Sequence, residues 1–86
     1  MRESEVERYL GVEVKKRGGV SWKWAGTMGV PDRIVLLPQG KILFVEVKTK
    51  GGRLSKVQQL IHRKMGTLGI EVEVVWSKDE VDELLR

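Results

Sequence analysis

The chain has 86 residues with 41% hydrophobic and 33% charged side chains, which suits one small globular domain spanning residues 1–86 whose limited core makes a partner subunit an expected support. Zero cysteines and a lone His62 exclude disulfide scaffolds, Cys/His zinc sites, thiol nucleophiles and a Ser-His triad, so any metal must be held by oxygen. The formal charge of +4 permits an anionic partner, and the lack of any apolar run near the ~20 residues of a membrane span, or of an apolar segment after Met1-Arg2-Glu3-Ser4-Glu5, leads us to expect a cytoplasmic protein with no membrane partner.

Residues 2–17 place Val6, Tyr9, Leu10 and Val14 at helical spacing ahead of a Gly18-Gly19 stop, with Gly11 as a weak point inside the helix. Val20, Trp22 and Trp24 alternate with Ser21 and Lys23, the pattern of a first strand before the Gly26 to Gly29 loop. Residues 32–37 and 41–48 are rich in Ile, Val, Leu and Phe and flank Pro38-Gln39-Gly40, which predicts a hairpin with a three-residue loop. After Gly51-Gly52, Ser55 and Gln58 form a capping box for a second helix with Val57, Leu60, Ile61, Met65 and Leu68 as its apolar stripe. Ile70 to Trp76 alternates as a fourth strand, and Ser77 caps a short terminal helix. If the third and fourth strands share a sheet, the helix between them is a right-handed crossover that makes them parallel, so the expected class is α/β with a small mixed sheet flanked by helices.

If the hairpin pairs Leu37 with Lys41, Asp32 falls opposite Glu46, and Asp32, Ile34, Leu36, Ile42, Phe44, Glu46 and Lys48 share one face. Opposed like charges destabilise a hairpin, so this carboxylate pair asks for a cation between them, and a hard divalent ion answers that need. Lys48 as a simple neutraliser of the two acids is the plainer alternative. Glu7 sits inside the core-facing stripe of the first helix, where a carboxylate is costly unless paired or bound to metal; Glu3 lies one turn earlier. Gln58 follows the 48–55 loop closely enough to reach the open end of the hairpin, although capping alone accounts for it. Lys48, Lys50, Arg53 and Lys56, with Lys23 from the neighbouring strand, make a basic rim suited to phosphates, while a solvated loop is the ordinary meaning of such a run. His62 reads as a residue of the second helix's polar face. Trp22, Trp24 and Trp76 read as core or interface. Gly51 to Ser55 lacks the spacing of a phosphate-binding P-loop, so no nucleotide cofactor is expected.

Gly29-Val30-Pro31-Asp32-Arg33-Ile34, then Phe44-Val45-Glu46-Val47-Lys48, then Gly52-Arg53-Leu54-Ser55 with Gln58, closely resemble the VRR-NUC family of the PD-(D/E)XK nuclease superfamily. The resemblance covers nearly the whole chain, and the compact length is similar to standalone, phage-type members. It implies a restriction-endonuclease-like αβββαβ(α) core and a nuclease site on Asp32, Glu46, Lys48, Glu7 and Gln58. Mg²⁺ or Mn²⁺ would be held by Asp32, Glu46 and Glu7, with the Val47 carbonyl as a further ligand, while Lys48 orients or activates the attacking water. The position of the first-helix acid, Glu7 or Glu3, is best matched by Glu7 from its distance to Gly18-Gly19. Lys23, Lys50, Arg53 and Lys56 are then the DNA-binding candidates. Standalone members resemble dimeric junction resolvases, so the expectation is a metal-dependent, structure-selective DNA endonuclease. Its substrate would be four-way (Holliday) junctions cut by a homodimer in the cytoplasm of a bacterial or phage-infected cell. Two other classes compete: a non-cleaving DNA-binding module on the same fold, and a purely structural dimer or adaptor without metal response.

Overall fold

A computed structural model describes residues 2–86. Helix α1 (Glu3–Lys16) carries Glu3 and Glu5 in its first turn and Lys15 and Lys16 in its last, so both ends complement the helix dipole. Gly18 ends it at φ 84°, a left-handed conformation that lets the Gly18 and Gly19 N–H groups reach the Lys15 and Val14 carbonyls. Strand β1 (Val20–Lys23) follows, then β2 (Arg33–Leu37), a 3-10 turn at Pro38–Gly40, β3 (Lys41–Val47), α2 (Lys56–Thr67), β4 (Val72–Val75) and α3 (Lys78–Leu84). The sheet order is β1-β2-β3-β4, antiparallel up to β3 and parallel between β3 and β4.

The hairpin register is the expected one, with Leu37 opposite Lys41 and Ile34 opposite Phe44. The strands are shorter than the alternation suggested. Trp24, Asp32, Lys48 and Trp76 lie just outside them, although the Trp24 N–H still donates to the Asp32 carbonyl at 2.9 Å and the Lys48 N–H to Val75 at 2.9 Å. Residues that carry the chemistry therefore stand at the open end of the sheet, where the ladder stops and side chains gain room.

The two sheet faces are unequal. Val35, Val45, Val47 and Val75 are buried against Val6, Leu10 and Val14 of α1 and Val81 and Leu85 of the C-terminal segment, and this is the core. On the opposite face α2 covers only part of the sheet, and Trp22 and Ile42 remain 59% and 55% exposed. Trp24 closes over Phe44 with ring centroids 5.7 Å apart.

Helix α2 has the expected cap but a different rotation. Ser55 Oγ accepts from the Gln58 N–H and Gln58 Oε1 accepts from the Ser55 N–H, so the capping box is complete. Of the expected stripe only Met65 is buried and Ile61 half-buried, whereas Val57, Leu60 and Leu68 are exposed. The inward face is Gln58, Ile61, His62 and Met65, an i, i+3, i+4, i+7 set that includes two polar residues. The helix turns this way because Gln58 is anchored to the sheet, as described next.

Candidate active site

Asp32 is fixed from both sides. Its carbonyl receives the Trp24 N–H, and its Oδ2 accepts the Val47 N–H at 2.9 Å, replacing the ladder bond that the end of β2 no longer provides. Pro31, directly before it, is fully buried. The loop leading there requires Gly29, whose φ is 88° and whose missing Cβ would sit 3.0 Å from the Val57 carbonyl and 2.7 Å from Ile61. Glycine thus lets α2 lie against the segment that presents Asp32.

Glu46 stands on β3 opposite the position of Asp32 and is 1% exposed, the only charged side chain buried among the described residues. Its Oε2 accepts from Gln58 Nε2 at 3.0 Å and lies 3.5 Å from Lys48 Nζ. Its Oε1 is buried with no hydrogen-bond partner among the described residues. Burial, reinforced by the negative charge of Asp32, pushes the Glu46 carboxyl up to about 7, against the opposing pull of Lys48. Gln58 consequently performs both roles considered for it: one end of its amide caps α2 and the other holds Glu46.

Other expected members are placed differently. Glu7 is drawn away from the pair: its Oε2 accepts from Arg33 Nε at 2.7 Å. Arg33 shares the sheet face of Val35, toward which α1 packs, so Glu7 finds a guanidinium there before it reaches the open end. The first-helix acid whose charge does act on Glu46 is Glu3. Lys23 pairs with Arg33 in the β1–β2 ladder and so points to the α1 side, away from the face of Asp32 and Glu46. Lys50, Arg53 and Lys56 are exposed along the β3–α2 connection. That connection is tied down, since the Gly52 N–H donates to the Thr49 carbonyl at 2.8 Å and Trp76 Nε1 to the Gly52 carbonyl at 2.9 Å.

Known proteins resemble this chain in sequence and in fold. The family model for the VRR-NUC domain matches residues 24–79, a span that contains Asp32, Glu46, Lys48 and Gln58. The chain belongs to the VRR-NUC domain family. It is 43% identical over 81 residues to "Putative nuclease p44" of Acyrthosiphon pisum secondary endosymbiont phage 1, covering 92% of this chain and 87% of the relative. A solved structure described as a VRR-NUC domain superposes with a TM-score of 0.86 at 34% identity, covering 96% of this chain and 92% of the other. The mixed four-stranded sheet flanked by helices is thus the VRR-NUC fold, and the chain is a nuclease domain.

In this VRR-NUC domain the donor set suits a hard divalent cation. Two carboxylates stand at one end of the sheet, near enough for the charge of Asp32 to act on Glu46, and one buried oxygen, Glu46 Oε1, has no partner within the described chain. Among the described residues no three His, Asp or Glu side chains converge as a complete ligand shell. Magnesium does not need one, because it takes one or two carboxylates and leaves its other positions to water and phosphate oxygens.

One residue of this neighbourhood went unassigned in the sequence. His62, expected on the polar face of α2, is half-buried, and its Nε2 is buried without a hydrogen-bond partner among the described residues. Burial lowers its pKa, the positive charge of Lys48 lowers it further, and Asp32 opposes both. The signal that finds it is its spacing of four from Gln58: once that amide is known to face the sheet, His62 must face it too.

Proposed function

We propose that this nuclease domain is a divalent-metal-dependent DNA endonuclease, selective for branched DNA and four-way junctions in particular, that acts as a homodimer. The observation that carries the reading is Glu46: a fully buried carboxylate with one oxygen unpartnered, set beside Asp32 and pinned by Gln58 and Lys48. Without a cation two acids at one sheet end are an electrostatic cost; with one they are a site.

Asp32, Glu46 and the Val47 carbonyl would hold Mg²⁺ or Mn²⁺, with Glu3 rather than Glu7 as the nearby first-helix acid. The cation would supply Lewis-acid stabilisation of the phosphate and a more acidic water. Asp32 is kept in place by the Val47 N–H and Glu46 by the Gln58 amide, so the two ligands are oriented before substrate arrives. Lys48, half-buried with its ammonium near Glu46, holds a phosphate oxygen or the attacking water and offsets charge gathering on the scissile phosphate. Lys50, Arg53 and Lys56 guide the flanking backbone into place through phosphate contacts. Glu7 and Arg33 neutralise one another beneath the site and brace α1 on the sheet.

Support for the homodimer comes from the incompletely covered sheet face, where Val20, Trp22 and Ile42 expose apolar surface. Two-fold pairing would place two sites on a symmetric substrate. The working place under this reading is the cytoplasm of a bacterial or phage-infected cell.

Labelled four-way junction, flap, duplex and single-stranded DNA incubated with Mg²⁺ or Mn²⁺ test the reading. Paired metal-dependent cuts in the junction, absent in Asp32→Ala and Lys48→Ala, are expected. Binding of every substrate with no cleavage in either metal would instead identify a non-cleaving DNA-binding module.

A further inference from the structure

Beside Glu46 Oε1 the site holds a second buried polar atom to which the proposed chemistry gives no role, His62 Nε2, and neither has a hydrogen-bond partner among the described residues. They occupy one neighbourhood. Asp32 and Lys48 act electrostatically on both groups. Gln58 and His62 are one turn apart on the same face of α2, with Cβ atoms about 6 Å apart in such a pair, and the Gln58 amide already touches the other oxygen of the same carboxylate at 3.0 Å. A buried polar atom without a partner is costly, so two of them in one site mark an arrangement that a further group completes.

We propose that His62 is a positioning residue for Glu46, its Nε2–H holding Glu46 Oε1 through one bridging water, as Gln58 holds Oε2. The inference rests on the metal-site reading of Glu46. Clamped at both oxygens from a single helix, the carboxylate keeps one orientation, and Oε1 retains a second lone pair to turn toward a cation. A neutral imidazole suits this task, since it donates one hydrogen bond without adding a positive charge that would compete with the metal. The α2 rotation that exposes Leu60 and Leu68 while drawing Gln58 and His62 inward follows from the same clamp. Ligand-orienting partners of this kind change metal affinity by about 10–100-fold when removed.

The test is calorimetric titration of Mn²⁺ into wild type, His62→Leu and His62→Gln, each first melted without metal. His62→Leu is expected to fold, since an apolar side chain fills the half-buried position on α2, yet to bind Mn²⁺ about 10–100-fold more weakly. His62→Gln, whose amide N–H lies near the Nε2 position, is expected to recover most of that loss, and neither variant should change KM for DNA as much as kcat. Should His62→Leu not fold, Gln and Asn replace it in the comparison: Gln is expected to bind Mn²⁺ more tightly than Asn, whose shorter amide falls short of Glu46. Mn²⁺ affinity within twofold of wild type in His62→Leu, or equal affinity of the Gln and Asn variants, overturns the proposal. Absence of Mn²⁺ binding to the wild type would overturn the metal-site reading itself and this inference with it.

Discussion

At the scale of single residues the proposed site turns on Glu46, and its pH behaviour is the most direct signature. A folded carboxyl raised to about 7 binds more protons than the unfolded one between the ordinary value near 4.5 and about 7, so stability of the metal-free protein falls as pH rises through that window. The loss attributable to this one group is about 3 kcal/mol. Glu46→Gln, which keeps the shape and the Gln58 contact, should therefore melt higher than wild type at pH 8 without metal and match it more closely near pH 4.5. A variant that shows the same pH slope as wild type would remove Glu46 as its source. On the proposed metal-site reading, divalent metal should reverse the trend, because binding would require the ionised carboxylate and release its proton. The Asp32–Glu46 pairing was legible in the sequence because a hairpin loop of known length fixes register, and register fixes which residues meet. Glu7 was not: its stripe position was read correctly as facing the sheet, but the competing guanidinium of Arg33 is visible only once α1 is docked on the odd-numbered face.

Among the elements, α2 decides how well the site is preorganised. Its capping box, length and approximate end were readable from Ser55, Gln58 and the following glycines, whereas its rotation was not. Hydrophobic periodicity assigns Val57, Leu60 and Leu68 to the interior, but a single amide bonded to a buried carboxylate outweighs apolar residues near the rim of a small sheet. Gly29→Ala tests the packing of that helix, since the new Cβ would press on Ile61, Val57 and the Val57 carbonyl at a left-handed φ. A loss above about 2 kcal/mol in denaturant unfolding is expected, with cleavage weakened as Asp32 shifts. Gly11→Ala in α1 should act in the opposite sense, because no atom lies within 4 Å of the added Cβ and helix propensity improves by about 0.5–1 kcal/mol. Unchanged or lower stability in that variant would contradict this account of the open space beside Gly11. Trp76→Phe removes the hydrogen bond that pins Gly52, and DNA affinity should fall by a few-fold with little loss of fold as Lys50 and Arg53 lose their common anchor.

The whole molecule divides its labour between the two faces of one sheet: β-branched side chains pack with α1 and the C-terminal helix on one side, and the open strand ends carry the acids on the other. The β2–β3 hairpin, the parallel β3–β4 pair and the class of fold follow from the alternation and crossover in the sequence, while the place of β1 at the sheet edge and the incomplete cover over Trp22 and Ile42 do not, since pattern alone says which residues are apolar and not which find a partner. Binding through Lys50, Arg53 and Lys56 predicts that junction affinity falls steeply with salt, the slope diminishing by about one for each of these lysines or the arginine replaced. Most direct for the central claim is cleavage of a four-way junction by wild type and Glu46→Gln across a titration of Mn²⁺. Symmetric cuts that rise with Mn²⁺ in wild type and vanish in a folded, DNA-binding Glu46→Gln are the predicted result. Cleavage that persists in Glu46→Gln, or that proceeds equally well in chelator, would contradict the account.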